Sequence, residues 1–445
     1  MLEYLRELRN RPAALAGSLV LVLFLVMGIG TWLLHASDAA GWAKGDAVIY
    51  HFPVINYFIS NGIDWGYPRG IAMLPGMHAY FALVAQLFGL SSLSADDPAS
   101  FLIQTPFAIA YASVLALALR RAGSVEGTPG PALWLLVPIL LSSGYVLESW
   151  IWPTTDIAAF FVFVGLIVVL QGGVARGNFN LTDALAYSAL ILLGTAFRQS
   201  FAPLAAGLGA MLLMTQSRAT WIRPGSLLCM ALPLAAAGLV VLICLWGWGG
   251  LLPPDLQRHG TTSLNFVAGW HVVALTGLIA WPFALSGARI VSDRADWWRA
   301  REVWIIVLAT AVIAAVATLI VPMTPDEDAG RRFSLVWSLQ TMGPLAPLRL
   351  VLVFGMLWAG AFVWATVLIA MWRRRQLAPE VLIMGLYTAS LLVQAYSWQR
   401  YAEAPILITL GLFFARRFKP GLIEALAIVG WGSAYLLLTL AKALT

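Results

Sequence analysis

Apolar residues run along this chain in long blocks, and short polar or basic stretches separate them. Thirteen blocks approach the length a helix needs to cross a bilayer: 13–34, 101–119, 131–147, 157–171, 183–197, 201–216, 226–248, 264–285, 303–322, 346–371, 380–396, 405–415 and 421–440. The pattern predicts an all-α polytopic membrane protein of about 13 transmembrane helices. The first outer loop, 35–100, carries two more apolar pieces. Residues 46–60 set Val48, Phe52, Ile55 and Ile59 at a helical spacing and stop at Asn61-Gly62, the pattern of a helix lying in the membrane surface. The second piece, 71–90, reads as an interfacial or re-entrant helix, because a crossing there would reverse the side of every later loop. Two juxtamembrane helices are therefore expected after the first span.

Basic residues fix the orientation. Arg6, Arg9 and Arg11 precede the first block, which is too long for a cleaved signal and lacks a small-residue cleavage site, so the N-terminus is expected in the cytoplasm. Thirteen alternating spans then put Arg120-Arg121, Arg176, Arg218 with Arg223, Arg289 to Arg301, Arg373 to Arg375 and Arg416 to Lys419 inside. That distribution obeys the positive-inside rule. With 60% hydrophobic and 11% charged residues and a mean hydropathy of +0.83, lipid is the main solvent. The net charge of +6 is thus a topology signal, and nucleic acid is not an expected partner. Cys229 and Cys244 are fifteen residues apart in one span, roughly 22 Å along a helix, too far to bridge each other.

Several charges remain on the outer side, where the rule gives no reason for them: Arg69, Arg198, Arg258, Arg331, Arg332 and Arg400, with Asp46, Asp64, Glu148, Asp156, Asp255, Asp326-Glu327-Asp328 and Glu403. Each arginine either pairs with one of these acids or reaches lipid head groups. As a set they suit a polar cavity in which a guanidinium fork holds a lipid phosphate, with Arg198, Arg258 and Arg400 as donor-phosphate candidates beside Gln199 and His259. Asp46 is the candidate general base, and Gly45-Asp46 ahead of an apolar stripe also reads as a helix N-cap. The two roles are compatible. His51 is placed to bond donor phosphate or to orient Asp46, and His78 is a similar candidate. Asp156, after Trp152-Pro153-Thr154-Thr155, either caps its span or positions the acceptor, with Glu148 and Trp65 as further acceptor-side residues. The tryptophans otherwise fit an aromatic belt. The five histidines show no metal-ligand spacing, and there is no P-loop or dinucleotide fingerprint.

These residues carry a resemblance. Asp46 with His51 and Pro53, then Trp65 and Pro68, Pro75-Gly76, Thr155-Asp156 and above all Phe197-Arg198-Gln199 resemble the GT-C glycosyltransferase superfamily. Within it the chain looks most like the dolichyl-phosphate-glucose-dependent alpha-1,2-glucosyltransferases. Weaker likenesses are Arg258-His259-Gly260 and His271. The match covers 13–285 and falls away beyond, which suggests a catalytic module over 1–285 and variable C-terminal helices over 286–445. The chain departs from the family in having Asp46-Ala47 where an acidic pair is usual, and Leu74-Pro75 where a proline pair is usual.

The resemblance implies an inverting transfer of a hexose from a polyprenyl-phosphate donor to a glycan, lipid or protein acceptor. No nucleotide takes part, and a divalent metal is neither required nor excluded. With 24 Arg against 3 Lys and abundant Ala, a GC-rich bacterial gene and an undecaprenyl or decaprenyl lipid are expected, in the inner membrane with the site facing the periplasm. The alternative is a non-catalytic transporter or flippase of a lipid-linked saccharide, although no internal duplication is evident.

Overall fold

The computed structural model describes residues 42–67, 71, 73–125, 133, 135–254, 256, 264–326, 331, 334–394, 398–417 and 420–444, with short pieces between 21 and 29. Among them the protein is all-helical, with no strand and one isolated bridge between Asp326 and Arg331. Six helices among the described residues are long and apolar enough to cross a membrane, or seven if a pair bent by 94° counts as one span. Such a set makes the chain a multi-pass membrane protein. Two compact units share the sequence.

The first unit comprises Gly17–Ala118, Gly144–Gly260 and Leu438–Thr445. Its helices are α1 (Trp42–Asp46), α2 (Phe52–Asn61), α3 (Gly76–Leu87), α4 (Pro98–Val125), α5 (Gly144–Ile151), α6 (Asp156–Arg176), α7 (Leu181–Phe197) and α8 (Pro224–Trp248). The apolar window of α6 is 83% buried, while that of α8 is 28% buried. Thus α6 is the centre of this unit and α8 turns most of its surface outward. Helix α3, at twelve residues, is too short to span a bilayer, in line with the interfacial reading of 71–90. At its start, a Cβ on Gly76 would lie 2.8 Å from the carbonyl oxygen of Ala196, so only glycine lets α3 approach the end of α7.

Helix α2 ends at Gly62, as the sequence indicates, and buries Phe52, Val54, Ile55 and Phe58. Val48, expected on that same face, is instead exposed. The cause is a π turn over Ala47–His51 between α1 and α2, in which the Phe52 N–H bonds to the Ala47 carbonyl. That i to i−5 bond adds one residue to the turn, so Ala47 replaces Val48 above Phe52.

The second unit comprises Met1–Ala16, Leu119–Ser143 and Thr261–Leu437. It holds α9 (Phe266–Ile279), α10 (Phe283–Ser292), α11 (Arg301–Ile320), α12 (Leu335–Thr341), α13 (Arg349–Arg374), α14 (Pro379–Leu391), α15 (Gln399–Ala415) and α16 (Leu422–Leu444). Helices α9 and α13 cross at Gly277 and Gly360, where a Cβ on either would fall within 1.9 Å of the other helix's backbone. Small residues at such a crossing let two backbones meet. The block 264–285 is not one straight helix, since α9 and α10 are the pair bent by 94°. The block 131–147 is also interrupted, by a short helix over Val137–Leu140 and a break at Ser142-Ser143 before α5. The basic ends here are paired as well as basic: Arg416 with Glu380 at 3.4 Å and Arg289 with Glu424 at 3.5 Å.

Candidate active site

Sequence neighbours of the candidate residues meet in one core of the first unit. Ala47 opens the π turn and Phe52 follows it, Met77 precedes His78, Ile103 precedes Gln104, Trp152 and Ala158 bracket Asp156, and Phe197 precedes Arg198; all pack in a single cluster. The ends of α1, α3, α6 and α7 therefore deliver Asp46, His51, His78, Asp156 and Arg198 around shared apolar walls.

Asp46 does not start a helix. It lies in continuous helical backbone (φ −59°, ψ −43°) between α1 and the π turn and makes no capping hydrogen bond, so the N-cap reading is set aside. It is half-buried, whereas residues 48–50 are exposed. In an α-helix Asp46 and His51, five apart, would face different sides; the extra residue of the π turn turns them toward one side. The start of α1 is held from α5, where a Glu148 carboxylate oxygen accepts from the Ala43 N–H at 3.4 Å. A carboxylate at a helix N-terminus also meets the positive end of its dipole. Glu148 thus positions the Asp46 helix.

His51 Nδ1 and His78 Nε2 are 2.8 Å apart, with the rings stacked at 5.0 Å between centroids. One nitrogen donates and the other accepts. Both rings are buried, and burial first, then the proximity of His51, hold His78 well below the ordinary histidine value. His78 Nδ1 has no partner.

Arg198, extended at the end of α7, donates from Nε to Thr155 Oγ1 at 3.0 Å and from Nη2 to Asp156, which is the first residue of α6. Both charged groups are buried. Of the two readings of Arg198, pairing with an acid is the one realised here, and Asp156 is its partner. Gln199 begins a 3-10 turn and donates to the Leu251 carbonyl at 3.3 Å. Trp65 stands edge-on to Trp246 and Trp248, at 6.2 and 5.7 Å, over Gly247. Arg258 and His259 lie outside the described residues, as do Pro68, Arg69, Asp255 and Arg332.

Arg400 belongs to the second unit, where its guanidinium stacks on Trp398 and Tyr401 at 4.6 and 5.1 Å. Beside it runs a buried polar chain. Gln399 and Tyr435 both donate to Glu403, Gln399 accepts from the Leu335 N–H, and Ser334 meets His271 Nε2 at 2.9 Å. Arg331 bonds the Pro322 carbonyl at 2.6 Å and so braces its own loop.

No family model, no curated protein and no solved structure matches this chain.

Sequence reasoning passed over Lys44, Gln104 and Thr154. Lys44 sits over the Trp152 ring at 5.4 Å and pairs with Asp96 at 3.0 Å. Its partner is 79% exposed, so that ion pair is weak and exchangeable. As one of only 3 lysines in the chain, two residues before Asp46, it was detectable. Gln104 and Thr154 carry no motif and are identified only by their contacts. Among the described residues no three His, Cys, Asp or Glu side chains come together as a metal cage.

Proposed function

We propose that this protein is an inverting glycosyltransferase of GT-C type, moving a hexose from a polyprenyl-phosphate donor to an acceptor hydroxyl. One observation carries the reading: a half-buried carboxylate, a buried hydrogen-bonded histidine pair and a buried arginine-carboxylate pair gather around one core at the ends of apolar helices. This is the chemistry needed where a lipid-held head group meets an acceptor.

In the proposed reaction Asp46 accepts the proton of the acceptor hydroxyl as its oxygen attacks the anomeric carbon in line. The bond from that carbon to the phosphate oxygen breaks, and polyprenyl phosphate leaves with the bonding pair. Lys44 releases Asp96 to meet the leaving phosphate, and the Arg198 to Asp156 pair adds a fixed field beside it. The His51 and His78 pair holds the Asp46 turn in register. The reading includes about 13 crossings, with short helices such as α7 and α14 crossing where the bilayer thins, and a site on the periplasmic face of a bacterial inner membrane. Undecaprenyl or decaprenyl phosphate is the proposed carrier, and the acceptor is a glycan, a lipid or a protein.

The test incubates purified protein and its Asp46→Asn variant with radiolabelled undecaprenyl-phosphate hexoses and membrane lipid extract. Labelled product and freed undecaprenyl phosphate from wild type alone support the reading, while equal turnover by both removes Asp46 as base. The second reading, a transporter of a lipid-linked saccharide, is favoured by the 94° break between α9 and α10, since broken helices line substrate paths in transporters. Movement of intact labelled lipid across proteoliposomes, with no freed carrier, would select it.

A further inference from the structure

Four buried polar atoms beside the candidate site have no hydrogen-bond partner: Gln104 Oε1, Trp152 Nε1, Thr154 Oγ1 and His78 Nδ1. Each residue is at least nine-tenths buried, with exposures of 0, 4, 1 and 1%. Folded proteins pair such groups almost without exception, because stripping water from a donor or acceptor without replacing it is costly. Four around one core therefore ask for a common partner. Gln104 and Thr154 are tied directly, since Gln104 Nε2 donates to the carbonyls of Ser149 at 2.7 Å and Thr154 at 3.1 Å. Trp152 is two residues before Thr154 in the same turn; its backbone N–H donates to the Glu148 carbonyl and its indole N–H has no partner. Helix α3, which carries His78, bonds the same stretch of α4 through Tyr80 Oη and the Ile103 carbonyl at 3.1 Å.

The character of these atoms restricts the ligand. Gln104 cannot turn its amide over, because that would set its oxygen against two carbonyl oxygens, so Oε1 is a fixed acceptor. Trp152 Nε1 only donates, while Thr154 Oγ1 does both. A phosphate or carboxylate would be repelled by Gln104 Oε1, and an ammonium group would find the Trp152 N–H opposed to it. Of the nearest cations, Arg198 already faces Asp156, and Lys44 is the group that meets the donor phosphate, so neither is left for a second anion. What matches fixed acceptors and fixed donors side by side, without net charge, is a row of hydroxyl groups, each of which gives and takes one hydrogen bond.

We propose that Gln104, Trp152, Thr154 and His78 read the hydroxyl groups of the donor sugar and select an uncharged hexose over an acidic or amino sugar. The inference rests on the donor reading above and extends it to residues that set specificity. The apolar turn and the Trp152 ring supply the wall on which the sugar's C–H face lies, and Lys44 over that ring marks the side on which the phosphate attaches.

The test measures binding of undecaprenyl phosphate, and of undecaprenyl phosphate bearing glucose, mannose, galactose or glucuronic acid, to the full-length protein in nanodiscs. Wild type should prefer at least one neutral hexose lipid over both the bare and the glucuronic carriers by about tenfold or more. Thr154→Val and Trp152→Phe, mild changes whose folding is verified by melting and gel filtration, should each lose about three- to tenfold of that preference and bind bare undecaprenyl phosphate unchanged. Single-deoxy hexose lipids complete a cycle: the deoxy position bound by Thr154 should cost wild type the same factor and cost Thr154→Val nothing more. Equal affinity of wild type for bare and sugar-bearing lipid overturns the inference, as do variants that keep the full preference. Preference that depends on Thr154 and Trp152 without any transfer would keep the sugar site and remove the transferase, whereas transfer with preference untouched by the variants would do the reverse.

Discussion

The Arg198 to Asp156 pair is the most consequential single contact of the first unit. Both groups are buried, so removing one leaves an uncompensated charge away from water, and such losses cost about 3–5 kcal/mol. Asp156→Ala should therefore lower the stability of the detergent-solubilised protein by about that amount, read from denaturant titration, and a second change, Arg198→Leu, should restore most of it. Asp96→Ala, by contrast, breaks the exposed pair with Lys44 and should shift stability by less than about 1 kcal/mol. The histidine pair gives a pH signature of definite sign. His78 takes up a proton less readily folded than unfolded, so the unfolded chain binds more protons at mildly acid pH and stability falls as pH drops below about 6.5. Melting of wild type between pH 7.5 and 5 should show that decline, and His78→Gln should flatten it. Asp46, Asp156, Arg198 and the histidines could each be picked out from the sequence as costly residues at span ends. Their pairing could not, since Arg198 and Asp156 are 42 positions apart and either reading of the arginine used the same sequence. Gln104 and Thr154 were invisible for a different reason: nothing about a lone Gln or Thr in an apolar block states that its partner is missing.

Among the elements, the π turn decides where the candidate base points. Deleting Ile49, an exposed residue inside it, should convert the turn to regular α-helix and rotate α1 by about 100° against α2. Asp46 would leave the side it shares with His51, so hexose transfer should vanish while melting changes by only a few degrees. If transfer survives, the orientation of Asp46 is not what the turn provides. The crossing of α9 and α13 offers a packing test with an internal control. Gly360→Ala drives a methyl into the Val273 carbonyl, 1.8 Å from the new Cβ, and should destabilise by about 1–3 kcal/mol or more, whereas Gly355→Ala on the same helix meets nothing within 4 Å and should gain up to about 1 kcal/mol. Long apolar runs such as 226–248 and 303–322 were readable because length and composition alone make them helices. The π turn, the 94° bend after α9 and the interruption of 131–147 were not, since each is set by what the segment packs against and leaves the apolar pattern unchanged.

For the molecule as a whole, the open quantity is which ends of these helices share a side of the membrane. Six or seven helices among the described residues have full spanning length, while α7 at 17 residues and α14 at 13 are short for a perpendicular crossing. A helix of 17 residues covers roughly 26 Å, close to the apolar thickness of a bilayer, so α7 reaches across if its ends sit in locally thinned lipid. Thirteen residues cover only about 20 Å, and α14 completes a crossing only with the turn that follows it. Under the positive-inside rule both are expected to cross, because losing α7 would put Arg218 and Arg223, and losing α14 would put Arg416 to Lys419, on the outer side. The parity up to the loop before α14 is measurable with single cysteines, since Cys229 and Cys244 are buried and give little background. Ser92→Cys, exposed in the first outer loop, should react with a membrane-impermeant maleimide in intact cells stripped of outer barriers, and Gln376→Cys, exposed beside Arg375, should react only after lysis. Labelling of both from outside would break the alternation between the two positions.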